Sequence, residues 1–249
     1  MDEHINPYEV NEFETPVIEP SGDIRNVNTD TGAIFDYAFR FWKANFLILV
    51  AATLIQIGIN FGISFVGGFL KTFLAASIGA NEPAVLICGI LTSITTQVAS
   101  IFLAIGIIRF HLQILRGGPA ELSLLFSGGD RFWSVLGFSI IAGIVLVLGF
   151  LLLIIPGFLL LLMYWPAQLL IVDKRTPVFE SFKLAREITQ GNLLKTFVLS
   201  IFAIGISMVG LLVFCVGIIP AQSLIGLLMC TAYLAMSGQI TLPDREVMH

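Results

Sequence analysis

Hydrophobic positions run along this chain in blocks too long for a soluble core. From Trp133 to Val172 no Asp, Glu, Lys, Arg or His interrupts the sequence. At about 1.5 Å per residue that block covers roughly 60 Å as helix, two crossings of a ~30 Å hydrocarbon core. Pro156-Gly157 lies inside it and can turn the chain with no polar loop, so the block predicts two spans, residues 132–155 and 158–172. Further blocks predict spans at residues 46–69, 84–108, 195–216 and 220–240, with Gly217 to Pro220 as a second turn of the same kind. Lys71 to Pro83 is expected to be the one substantial external loop.

Shorter, charged stretches separate these blocks. After Thr176-Pro177, a good N-cap and N1 pair, Val178, Phe182, Ala185 and Ile188 share one helical face with Phe179 at its edge. Lys183, Arg186, Glu187 and Gln190 fall on the other face, and Gly191-Asn192 supplies a stop. Such a helix is too short and too charged to cross a bilayer but suits the headgroup boundary; a cytoplasmic connector is the plainer reading. Ala33 to Lys43 sets Asp36, Arg40 and Lys43 among Phe35, Tyr37, Phe41 and Trp42, as in an interfacial lead-in. Phe35-x-x-Ala38 and Asn45 match Phe182-x-x-Ala185 and Asn192 at identical spacing. Glu121 to Asp130 takes the equivalent place after a Gly117-Gly118-Pro119 turn, as a short helix ending near Gly128-Gly129. The pattern predicts an all-α polytopic membrane helix bundle of six transmembrane helices. They form three parallel repeats, each a hairpin preceded by a short interfacial amphipathic helix.

Composition agrees: 57% of residues are hydrophobic and only 12% charged, against about 25% charged in soluble domains. Mean hydropathy is +0.94. Of the 13 basic residues all but Lys71 fall in the segments flanking the spans on one side, which places both termini in the cytoplasm of a bacterial-type inner membrane. Residues 1–30 carry eight acidic side chains, one arginine and Pro7, Pro16 and Pro20, with no apolar stretch of signal-peptide type. They predict a disordered acidic cytoplasmic tail, with Tyr8, Phe13 and Val17-Ile18 as anchors should it bind a partner. Residues 31–242 form the membrane domain and residues 243–249 a short tail. Cys88, Cys215 and Cys230 lie in apolar runs and read as small buried hydrophobes rather than disulfide partners.

The chemical inventory is mainly negative. His4 and His249 are terminal and His111 is isolated, so no metal site is expected. No cofactor-binding glycine loop, nucleophile elbow or nucleic-acid-binding feature stands out. Apart from Lys195 at the very start of the fifth, no Asp, Glu, Lys, Arg or His falls within a predicted span, which argues against proton relays, voltage sensing and intramembrane catalysis. Asp173, beside Lys174 and Arg175, reads as a solvated interfacial carboxylate. Two polar stripes remain: Thr53, Gln56, Asn60 and Ser64 on span one, where Gly58-x-x-x-Gly62 offers a surface for close helix packing, and Ser93, Thr96, Gln97 and Ser100 on span two. Gln56, Thr96 and Gln97 fall near the bilayer midplane. The plainer reading is hydrogen bonding between helices, under about 2 kcal/mol per contact; the sharper one is a polar path or a headgroup site.

The pattern Ile155-Pro156-Gly157, Pro166, Ile171-Val172-Asp173, Glu180, Thr189 and Gly191-Asn192 resembles a group of multispan prokaryotic proteins. The group comprises YciC-like inner-membrane proteins and the membrane domain joined to some glycerophosphoryl diester phosphodiesterases. The resemblance covers residues 130–240, with Cys215-Val216-Gly217 and Tyr233 also fitting, and weakens before them. Ala185 stands where these proteins often have Ser, so a hydroxyl there is not required. Most of the group has no assigned activity, and the phosphodiesterase domain has no counterpart here, so its activity is not implied. The expectation is a non-enzymatic structural, scaffolding or lipid-associated protein, whose partners are membrane lipids, another membrane protein or a second copy. A passive channel or transporter for a small solute or lipid, using the polar stripes, is the alternative.

Overall fold

The computed structural model describes residues 26, 27, 29–80, 82–212 and 217–240. Most of the acidic tail, Cys215-Val216 and the C-terminal tail lie outside the described residues. Every regular element described is helical: α1 Thr31–Ala44, α2 Phe46–Ile78, α3 Pro83–Leu115, α4 Phe132–Leu152, α5 Ile154–Tyr164, α6 Pro166–Asp173, α7 Val178–Thr189, α8 Leu193–Leu212 and α9 Ile218–Met236. Two 3-10 turns, Leu122–Phe126 and Gly128–Arg131, precede α4. Among the described residues 6 stretches are long and apolar enough to cross a membrane: α2, α3, Leu122–Leu152, α5 with α6, α8 and α9. This supports an all-α, multi-pass membrane protein.

Successive helices pack on one another, α2 on α3, α4 on α5 and α8 on α9, and α9 also meets α1, α2, α3 and α6. The core gathers around α9, where Leu227, Leu228, Tyr233, Leu234 and Met236 are fully buried. On the outer face of α2, Phe61, Phe65, Phe69 and Phe73 follow one another at four-residue steps and are exposed. So large an apolar face belongs in lipid.

The first apolar turn differs from expectation. It falls at Leu153, whose φ of −166° and ψ of 148° are ordinary extended backbone, and α5 begins at the next residue. Pro156 and Gly157 lie in the first turn of α5, where the missing proline N–H would have had no helical partner anyway. Gly157 serves close approach: a Cβ there would stand 2.6 Å from the Phe150 ring and 2.9 Å from its backbone N. The same Ile-Ile-Pro-small sequence opens α9 as Ile218-Ile219-Pro220-Ala221, and a Cβ on Gly210 of α8 would meet Gly217 O at 2.7 Å. Pro166 interrupts the hydrogen bonding of the expected fourth span between α5 and α6, but Trp165 keeps helical backbone angles and the two run on as one stretch.

Three other expectations are corrected. The anticipated loop from Lys71 to Pro83 shrinks to residues 79–82, because no helix breaker intervenes before Gly79, whose φ is 104°. Lys71 lies inside α2 and would be 3.6 Å from a Cβ on Gly89 of α3. The helix expected over Glu121 to Asp130 is the pair of 3-10 turns, held against α3 where Gly106 and Gly128 have no side chain. Gly58 and Gly62 face open space; the close approach of α2 to α3 is at Gly67, where a Cβ would stand 2.1 Å from Thr92 Cγ2.

The paired sequence signature has matching structure. Ala38 and Ala185 are fully buried. Asn45 donates to Phe41 O (3.1 Å) and Asn192 donates to Ile188 O (3.3 Å), each four residues back. Helix α1 also runs antiparallel along α9: Val27 N–H donates to Met236 O (3.1 Å), and Trp42 Nε1 donates to Ser223 Oγ (2.9 Å). The lead-in segment thus lies lengthwise on the central helix, and not flat in an interface as expected.

Candidate functional site

The stripe on α2 forms one wall of a groove of about 450 Å³. Thr53, Gln56, Asn60 and Ser64 line it, with Ile57 and Phe61 at the side and Gln222 of α9 opposite. Steps of three and four residues bring all four α2 positions onto one face. Thr53 Oγ1 donates to Leu49 O (3.0 Å) and Asn60 Nδ2 to Gln56 O (3.0 Å), so both side chains are tied to their own helix. Ser100 Oγ of α3 donates to Asn60 Oδ1 (2.8 Å) and orients that amide from behind. The lining holds amides and hydroxyls and no charged group. Ser64 and Gln222 are exposed, so the groove is open at the surface of the bundle.

The second stripe does not join it as a whole. Thr92, Thr96 and Ser100 follow one another at four-residue steps, and Thr92 and Ser100 meet α2. Gln97 comes one residue after Thr96, about 100° further round the helix, and is exposed. Ser93 is exposed as well, its hydroxyl donating to Gly89 O (3.0 Å), and Thr96 Oγ1 donates to Thr92 O (2.9 Å). The amide that α9 adds to the lining is Gln222, which carries no stripe of its own in the sequence.

A second polar cluster joins the C-terminal ends of α3, α6 and α9. Arg116 grips Asp173 with both terminal nitrogens, Nη1 to Oδ1 at 2.7 Å and Nη2 to Oδ2 at 2.8 Å. Tyr233 OH donates to Asp173 Oδ2 (3.0 Å), and Arg116 Nη2 also donates to Gln239 Oε1 (2.9 Å). The Asp173 side chain is only 6% exposed. It is therefore not the solvated carboxylate expected, because three distant chain ends converge on it. Burial works against the Arg116 charge, but the Asp173 carboxylate outweighs it and holds the guanidinium above its usual pKa. With both oxygens engaged, Asp173 clamps the ends of α3, α6 and α9 together.

The remaining motif residues anchor the α7–α8 junction. Gly191 takes a φ of 89°, which glycine tolerates. Asn192 is buried and donates to Asn26 Oδ1 (2.9 Å) and Val27 O (3.2 Å), and Asn26 donates in turn to Glu187 O (2.8 Å) and to Gln190 O. Thr189 Oγ1 donates to Ala185 O (2.8 Å) and Met163 O (3.2 Å), tying α7 to α5.

Comparison with protein-family models, curated proteins and solved structures returns no match.

Proposed function

We propose that this is a non-enzymatic, lipid-associated integral membrane protein whose α2–α9 groove holds the uncharged polar region of one membrane lipid. The observation that carries this reading is the groove's lining: amides and hydroxyls without a charge, beside the exposed Phe61, on a helix whose outer face is apolar. Ester and hydroxyl groups at the base of a lipid headgroup match such donors and acceptors, while acyl chains match the phenylalanine face. An intramembrane enzyme is disfavoured by the same lining, which offers no acid, base or activated nucleophile. The bias of basic residues orients the chain with both termini in the cytoplasm of a bacterial-type inner membrane. Another membrane protein or a second copy is a further partner compatible with a scaffolding role.

The test is the double variant Gln56→Leu with Gln222→Leu, isolated in mild detergent and weighed by native mass spectrometry. Gln222 is exposed and Gln56 part-exposed at the open groove, so thermal stability should stay close to wild type. Wild type should carry one lipid per chain and the variant should lose it. Equal lipid content would contradict the proposal. A solute flux in liposomes that the variant abolishes would establish the passive-path reading in its place.

A further inference from the structure

The geometry points to a phosphate-binding site where Arg109, Arg131 and Arg175 converge at the basic end of the bundle, suited to the phosphate of an anionic lipid headgroup. It is separate from the uncharged groove and does not rest on it. Arg109 ends the apolar run of α3, Arg131 precedes that of α4, and Arg175 follows α6. All three guanidinium groups lie within 4.0 Å of one carboxylate, that of Asp130. Three positive charges against one negative leave a surplus of two within the cluster.

Only one of the three is satisfied by Asp130. Arg109 Nη2 donates to Oδ1 (2.7 Å) and to Oδ2 (2.8 Å), and Arg109 also donates to Ser127. Arg131 Nε and Arg175 Nη2 each stand 3.9 Å from Asp130 Oδ2, beyond hydrogen-bond distance. Arg131 Nε is buried and has no hydrogen-bond partner. Arg175 holds a φ of 59°, positive for a non-glycine residue, in the pose that brings its guanidinium near Asp130. A phosphate presents several oxygens to such donors and suits guanidinium forks.

A lipid is the source that the surroundings favour. Trp133 follows Arg131 after one residue and is 78% exposed, as aromatic residues are at the headgroup level. From Trp133, the exposed Ile140, Ile144, Val147 and Leu151 continue one face of α4 and offer a track for acyl chains. The surplus charge suits the anionic lipids of a cytoplasmic leaflet.

The full-length protein in uncharged detergent is titrated with brominated phosphatidylglycerol or brominated phosphatidylcholine, reading the fluorescence quenching that Trp133→Phe removes. Phosphatidylglycerol should bind more tightly. Arg131→Gln and Arg175→Gln should each weaken it about fivefold to tenfold, and Lys183→Gln, on the exposed face of α7, by less than about twofold. Arg175 is 69% exposed, so its replacement should leave the fold intact, which the thermal midpoint checks. Displacement by inorganic phosphate alone would support the site with a free phosphate as occupant; failure to displace would support it with a lipid. The Gln56→Leu, Gln222→Leu variant should bind phosphatidylglycerol here as wild type does. Equal quenching by the two lipids, or a loss at Lys183→Gln as large as at Arg175→Gln, would overturn the proposal.

Discussion

Alanine at Gly106 should destabilise the protein by about 3 kcal/mol or more, although Gly→Ala inside a helix ordinarily gains about 1 kcal/mol. The sign reverses because a Cβ there would stand 2.1 Å from Leu125 O and 2.5 Å from Leu125 C, both backbone atoms of the first 3-10 turn. Backbone cannot swing aside as a side chain can. Gly128 repeats the arrangement from the other side, its Cβ position lying 2.3 Å from Phe102 O. Alanine there should push the same two segments apart. Gly58 is the control, since nothing lies within 4 Å of its Cβ position. Unfolding in detergent, followed by thermal midpoint, should fall for Gly106→Ala and hold or rise for Gly58→Ala. Equal behaviour would show that the 3-10 segment does not rest on α3.

Asp173→Asn should cost about 2–4 kcal/mol, since it leaves Arg116 part-buried without its counter-charge and weakens the acceptor of Tyr233. Tyr233→Phe should cost about 1 kcal/mol. Pairing Asp173→Asn with Arg116→Gln should recover part of the loss, because no uncompensated charge then remains. The cycle should give a coupling of about 1.5 kcal/mol or more between the two positions. A solvated carboxylate would instead lose less than about 0.5 kcal/mol on its own and show no coupling.

These two sites mark the border of what the sequence discloses. The six apolar stretches are legible because crossing a bilayer demands length and apolarity, both local properties. The groove wall on α2 is legible because Thr53, Gln56, Asn60 and Ser64 repeat at helical spacing, and the inner face of α7 for the same reason. Gln222 is not, since a lone amide in α9 gains meaning only once α9 lies against α2. Asp173 misleads because its neighbours Lys174 and Arg175 suggest a solvated flank, whereas Arg116 and Tyr233 arrive from 57 and 60 residues away. Pro156-Gly157 misleads in another way: proline and glycine mark turns, but they also suit a helix start and a close helix approach. The turn itself falls on Leu153, which carries no local signal. Gln97 fails by a single residue, a shift that moves a side chain about 100° round its helix.

Groove and arginine cluster alike presuppose that the charged chain ends gather on one side of a membrane that the apolar helices cross. Single cysteines at Ala80, Glu121 and Lys183, in a chain whose 3 native cysteines are replaced by alanine, test this directly in intact cells. An impermeant maleimide should label position 80 from outside, and positions 121 and 183 only after the membrane is opened. Labelling of position 183 from outside, or of position 80 only after opening, would contradict the account.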